Sequence, residues 1–197
     1  MVRAIFFDFY SVWLPDIFTE LLTDAQKYGP EVTADLQNTV NKYFWGQVDA
    51  VFVADSFRFK LNRPDIEENT FILKESDISP AVTSLMRNLH GHFVKLGVLA
   101  NLGPQEFNLL TEYNTHNQLF EVIAGPFPMQ LQLPLLNQEV FAKALQTIGE
   151  PPSSALVVSG NPYYLQFANS IGIATLQFQG FPVLENTLLQ MVTTEVQ

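Results

Sequence analysis

An α/β fold is predicted, an open parallel sheet flanked by helices with a small all-helical block inserted after the first strand. Three features of the sequence predict it. Short apolar runs without helical period recur along the chain, amphipathic segments alternate with them, and between about residues 15 and 77 only helical signals occur.

Val2–Phe7 is apolar and aromatic-rich and ends at Asp8, as a strand buried on both faces would. Helices are predicted over Asp16–Tyr28, Pro30–Tyr43, Gln47–Phe57 and Pro64–Lys74, separated by Tyr28-Gly29-Pro30, Trp45-Gly46 and Asn62-Arg63-Pro64, which are turn and breaker signals. Val94–Leu99 is a second strand, ending at Ala100-Asn101-Leu102-Gly103, and Pro104–Tyr113 a helix after it. Phe120–Ala124 reads as another short strand. In Gln138–Ile148 the residues Val140, Phe141, Ala144, Leu145 and Ile148 keep the spacing of one helix face. Ala155–Val158 is a further buried strand, ending at Ser159-Gly160-Asn161-Pro162. Pro162–Ile171 is a helix with proline in its first turn and Gly172 at its end, and Ile173–Phe178 a last strand. The division expected is a core of residues 1–14 and 78–197 and a helical cap of residues 15–77.

Composition narrows the chemistry. Of 197 residues 47% are hydrophobic, which with Phe 17 argues for a packed core rather than disorder. The chain has no cysteine, so disulfides, thiol nucleophiles and thiolate zinc sites are excluded together. A net charge of −10 disfavours nucleic acid, a polyanion that needs cationic contacts. No window approaches the roughly 18 apolar residues of a membrane span, and Met1–Asp8 lacks the cationic start of a signal peptide. A soluble, cytoplasmic protein is expected, without membrane or nucleic-acid partners. Charge is also unevenly placed: after Lys95 the only lysine or arginine is Lys143, and after Asp77 there is no aspartate.

Ligands of open parallel sheets bind outside the carboxyl ends of the strands. Three predicted strand ends carry polar residues: Asp8, Ala100-Asn101 and Ser159-Gly160-Asn161. A carboxylate ending an apolar strand is costly unless it is paired or functional, so Asp8 is either a turn or N-cap aspartate or a reactive one.

Ala4-Ile5-Phe6-Phe7-Asp8-Phe9-Tyr10-Ser11-Val12 resembles the first motif of the haloacid dehalogenase-like superfamily, an apolar strand followed by D-x-D-x-[TV]. Leu96-Gly97-Val98-Leu99-Ala100-Asn101 resembles its second motif. The helix from Glu139 through Ile148-Gly149 resembles the one following its motif-three lysine, and Ala155–Gly172 its fourth motif and helix. The resemblance runs in order over the whole chain and implies a Rossmann-like core with a helical cap after the first motif.

It also implies an Asp nucleophile, a second Asp as acid/base, a small hydroxyl, a lysine and acids that hold Mg2+. Here the nucleophile is Asp8, the second acid is replaced by Tyr10 and the hydroxyl by Ala100 beside Asn101. The lysine falls at Leu133 or Leu135, and the motif-four acids at Gly160 and Tyr164. The L-2-haloacid dehalogenases of the superfamily carry D-x-Y-G-T, use no metal and read S-S-N-x-x-D in their fourth motif. Tyr10, Ser159 and Asn161 resemble that subgroup. Its lysine, motif-four aspartate and cap-side arginine are absent, since no arginine lies between Arg3 and Arg58.

Mg2+ takes oxygen ligands, usually with one or two carboxylates, and Asp8 alone remains at these strand ends, so the metal site is expected to be lost and no cofactor to be needed. Losing one preorganised partner commonly costs about 2.7–4 kcal/mol of transition-state stabilisation. Lys143 reads as a solvated helix residue, Lys95 lies at the far end of the second strand, and His90, His92 and His116 read as turn or surface residues. Asp8 is expected to hydrogen-bond locally, to backbone or Asn101, and the larger side chains at Tyr10, Tyr164, Leu133 and Leu135 to fill the pocket floor.

The resulting expectation is a catalytically impaired member, a pseudoenzyme acting through binding. Its partner, another protein or a second copy, would meet the uncharged segment Phe127–Leu136, which the same sequence also fits as a buried strand or as a segment covered by the cap. The alternative is a metal-independent hydrolase with Asp8 as nucleophile, Asn101 beside it, and Tyr10, Ser159 and Asn161 lining its pocket.

Overall fold

The computed structural model describes residues 2–14, 17–71, 74, 77–125 and 137–194. The segment Phe127–Leu136, with Leu133 and Leu135, lies outside the described residues.

Five strands form one parallel sheet: β1 Ala4–Asp8, β2 Lys95–Leu99, β3 Val122–Ala124, β4 Ala155–Ser159 and β5 Ala174–Gln177. Their order is β3-β2-β1-β4-β5, which puts β1 at the centre. Its register pairs Asp8 with Leu99 on one side and Phe7 with Val158 on the other, so Asp8 and Ser159 emerge together at the carboxyl edge.

Every residue of β1 and β4 is buried because both faces are covered. Ile5 and Phe7 point to one face, where they meet α5 (Pro80–Gly91), α6 (Pro104–Asn117) and α9 (Phe181–Thr194) through Leu85, Met86, Leu110 and Leu188. Ala4 and Phe6, one residue out of phase, meet α7 (Gln138–Ile148) and α8 (Pro162–Ser170) through Val140, Phe141, Ala144 and Ala168. Alternation of side chains along a strand is what allows one short segment to serve two layers.

α1 (Phe9–Val12) turns the chain away from β1, and α2 (Ile17–Ala25), α3 (Pro30–Phe44) and α4 (Ala50–Lys60) follow. These three helices enclose an apolar cluster of their own, with Leu36, Val53, Phe57 and Leu61 inside it. Phe18 is its hub, with ring centroids 5.8 Å from Tyr43, 5.0 Å from Phe44 and 5.3 Å from Phe71. Tyr10 packs against this cluster and against the core of the sheet.

Local chemistry sets the helix ends. Asn137 accepts from the N–H groups of Glu139 and Val140 to start α7, and Gly149 ends it in the left-handed region at φ 72°. Asn161 caps α8 ahead of Pro162. Asp49 caps α4 through Phe52, so that helix begins later than predicted and runs on to Lys60.

The helix predicted over Pro64–Lys74 is a correction. Arg63 forks onto Asp65 at 2.8 and 2.6 Å, and reciprocal Glu67–Thr70 capping closes a single 3-10 turn, Glu68–Thr70. Side-chain bonds of this kind compete with helix propagation. Conversely, α5 and α9 are helices that the apolar pattern did not single out. Among the described residues no helix is long and apolar enough to cross a membrane.

Candidate functional site

Asp8 ends β1 with 3% of its surface exposed, and its carboxylate is held by two hydroxyls. Ser159 at the end of β4 donates to Asp8 Oδ2 at 2.5 Å, and Ser11 in α1 donates to the same oxygen at 2.7 Å. Each hydroxyl in turn accepts a backbone N–H: Asn161 N donates to Ser159 Oγ at 2.9 Å, and Gly160 N to Ser11 Oγ at 2.8 Å. A hydroxyl carries one proton, and accepting the backbone N–H leaves that proton directed at Asp8. Gly160 permits the approach, since a Cβ there would stand 3.0 Å from the Cβ of Ser11.

A cavity of about 550 Å3 opens above Asp8 between the strand ends and helices α2 and α3. Phe18, Leu22, Val40 and Phe44 form its apolar wall from the helical block, and Phe167 of α8 faces them. Among the described residues its polar lining is Asp8, Ser11, Thr19, Gln37, Asn101, Asn137, Asn161, Tyr163 and Tyr164, while Tyr10 borders it with its hydroxyl buried. Asn101 donates through Nδ2 to the Tyr164 hydroxyl at 2.7 Å, joining the ends of β2 and α8.

The sequence-selected residues therefore converge. Asp8, Tyr10, Asn101 and Asn161 line the cavity, and Ser159 lies fully buried behind Asp8. Tyr10 and Tyr164 border the space without closing it. Asp8 is hydrogen-bonded, but its bonds with Ser11 and Ser159 are to partners other than the backbone or Asn101 that the sequence suggested. Ser11 was not selected from the sequence. Its only signal there is position, one helical turn beyond Asp8.

The remaining basic candidates lie elsewhere. Lys95, at the opposite end of β2, bonds to Glu150 and to the Ile148 carbonyl, both at 2.9 Å, which holds the Glu150 carboxyl below the usual range. Lys143 is exposed on α7, His90 is 3.8 Å from Glu121 near the end of α5, and the His116 ring meets the Glu112 carbonyl.

Asp8 is the one carboxylate among the described residues that line the cavity, and no group of three or more His, Asp or Glu is placed to hold a metal among them. Its Oδ2 already accepts two O–H donors. Among the described lining residues, Asp8 alone offers anionic oxygen to a cation.

A second buried polar contact joins the helical block to the sheet. Glu106, in the first turn of α6, is 1% exposed and accepts a hydrogen bond from Tyr43 of α3. Burial pushes the Glu106 carboxyl above the ordinary range, against the opposing pull of the Tyr43 hydroxyl and of the Glu106 and Gly103 backbone. The Tyr43 phenol is likewise pushed up, by burial first and by Glu106 second. Neither residue stood out in the sequence.

A dehalogenase of known structure matches 94% of this chain and 96% of its own, with a TM-score of 0.64 at 15% identity. The chain has the haloacid dehalogenase-like fold. The L-2-haloacid dehalogenase from Xanthobacter autotrophicus is similar over 98% of this chain and 88% of its own, with a TM-score of 0.56 at 16% identity. A HAD family enzyme from Bacteroides thetaiotaomicron, in complex with magnesium and inorganic phosphate, matches 90% of this chain and 94% of its own, with a TM-score of 0.58 at 12% identity. No family model and no curated protein matches the sequence. The haloacid dehalogenase-like fold accounts for the placement of Asp8, because the first strand of this sheet is the central one and its carboxyl end faces the cavity.

Proposed function

We propose that this protein is a metal-independent hydrolase of the haloacid dehalogenase type, with Asp8 as nucleophile and residues 15–77 acting as a cap over a core of residues 1–14 and 78–197. One observation carries the reading: a buried carboxylate, oriented by two hydroxyls whose protons are directed by backbone N–H groups, forms the wall of an open cavity.

The chemistry follows from that arrangement. The carboxylate oxygen other than Oδ2 attacks a saturated carbon bearing a halide. The C–O bond forms, the C–halogen bond breaks, and the electron pair leaves on the halide. Oδ2 becomes the carbonyl oxygen of the resulting ester. When water adds to Cγ, negative charge develops on Oδ2, where Ser11 and Ser159 already donate; such preorganised donors commonly supply about 2.7–4 kcal/mol each. Collapse expels the alcohol, with the water's oxygen retained on Asp8, and one proton passes to solvent. The net reaction is R–X + H2O → R–OH + H+ + X−. The dehalogenases among the similar structures, and the likeness of Tyr10, Ser159 and Asn161 to that subgroup, support displacement at carbon over phosphoryl transfer.

A second reading has its own observation. Apart from tyrosines, Asp8 is the only ionisable side chain among the described lining residues, so none stands ready as a base for water. On this reading the cavity binds a ligand without turning it over, and the Phe127–Leu136 segment engages a protein partner or a second copy.

The test is chloride release from 2-chloropropionamide and 2-chloropropionate, with p-nitrophenyl phosphate as phosphatase control, for the wild type and Asp8→Asn. A single turnover in H2 18O accompanies it. Chloride release lost in Asp8→Asn, with 18O in the peptide containing Asp8, is the expected result. Release no greater than that of Asp8→Asn rejects the hydrolase reading in favour of binding.

A further inference from the structure

All ten lysines and arginines of the chain fall among the described residues, and none lines the cavity above Asp8. Lys27, Arg58, Lys60 and Arg63 are committed to ion pairs within the helical block, and Lys95 pairs with Glu150 at the far end of the sheet. Lys42 shares α3 with Gln37, Val40 and Phe44, but the 100° step of an α-helix turns it to the opposite side. The three histidines lie near the ends of α5 and α6, away from the cavity lining. Residues 15–16, 72–73, 75–76, 126–136 and 195–197 contain no lysine, arginine or histidine, so they bring no basic side chain to it either.

An anion entering this space would give up hydration and meet the Asp8 carboxylate with no counter-charge, and like charges at short range repel strongly where water is scarce. What the cavity offers instead is an apolar wall and amides. The oxygen of Asn161 is used in capping α8, so the group it can present to a ligand is its N–H2, a donor for a carbonyl oxygen. Gln37 adds a second amide from the helical block.

We infer that the substrate of this site is uncharged, with an apolar body and a carbonyl or carboxamide group, and that haloacids and phosphate esters are excluded by charge. The inference rests on the catalytic reading for the word substrate; as a statement about the ligand it stands on the cavity alone.

The experiment compares phenylacetamide with phenylacetate by titration calorimetry at pH 7.5. The two differ in charge and hardly in shape. Phenylacetamide is expected to bind at least about tenfold more tightly, and the ratio to shrink in Asp8→Asn and to reverse in Gln37→Lys. Equal or tighter binding of phenylacetate to the wild type overturns the inference, as does failure of phenylacetamide to bind. Preference for the amide without chloride release from 2-chloropropionamide leaves the charge inference standing and rejects the hydrolase reading alone.

Discussion

Ser159 donates to Asp8 Oδ2 at 2.5 Å across 151 residues of sequence, and both side chains are almost fully withdrawn from water. Hydrogen bonds to a charged acceptor contribute about 1.5–3 kcal/mol. Ser159→Ala is expected to lower the unfolding free energy by about that amount, and Ser11→Ala by less, since Ser11 is only partly buried. Urea denaturation at pH 7 measures both. An unchanged midpoint in Ser159→Ala would show that the carboxylate does not depend on this donor.

Tyr43→Phe removes the hydroxyl that reaches Glu106 from the helical block while keeping the ring in its aromatic cluster. A buried carboxyl deprived of a partner costs about 1–3 kcal/mol, so the variant is expected to be destabilised by that much. Thermal or urea unfolding reads the loss. Tyr43→Phe unfolding at the wild-type midpoint would mean that Glu106 is satisfied without the phenol.

Glu106 also sets a pH dependence. Burial raises its pKa above the ordinary 4.5. A raised folded-state pKa means that the fold holds the proton more tightly than the unfolded chain does. That contribution to stability is fully present below pH 4.5 and is lost as pH rises through the folded-state value. The stability of the wild type minus that of Glu106→Gln should therefore fall as pH rises from 4 toward neutrality. Asp24, Asp65 and Glu150, whose carboxyls are lowered by Lys27, Arg63 and Lys95, act in the opposite sense but cancel in this difference. A difference that is flat with pH would contradict the assignment.

Gly97 of β2 faces a ring that cannot retreat. A Cβ added there would lie 2.6 and 2.7 Å from atoms of Phe6 and 3.0 Å from Val122. Phe6 is 1% exposed beneath α7. Overpacking a closed core costs about 1–3 kcal/mol, and Gly97→Ala is expected to fall in that range by equilibrium unfolding. A variant as stable as the wild type would show that this layer of the core can yield.

Apolar runs located all five strands to within two residues. For β1 and β4 this is because a strand covered on both faces must be apolar throughout, whereas β5 is an edge strand exposed at both ends. The 3.6-residue period made α7 legible from end to end, and the structure adds its caps, Asn137 and Gly149. Asp8 stood out since no local apolar pattern explains a carboxylate there, and the scarcity of lysine and arginine after Lys95 was plain from counting. α9 escaped notice because its apolar face is defined by the sheet it covers. The apolar period overstates the helix near Pro64, because the local Arg63–Asp65 and Glu67–Thr70 bonds that stop it leave no mark on that period.

Residue types, their periodicity and their absence are local properties, and these are what the amino-acid order alone determined: an α/β sheet, an inserted helical block, one carboxylate at a strand end, and few basic groups to place beside it. Tertiary structure decided the partners. Ser11 and Ser159 meet on one oxygen, Tyr43 meets Glu106, and a cavity bordered by Tyr10 and Tyr164 opens above Asp8. The physical reason is that such contacts depend on the register of β1 against β4 and on how α3 seats over α6. Those relations are set by packing many residues at once, and no single stretch of the chain encodes them.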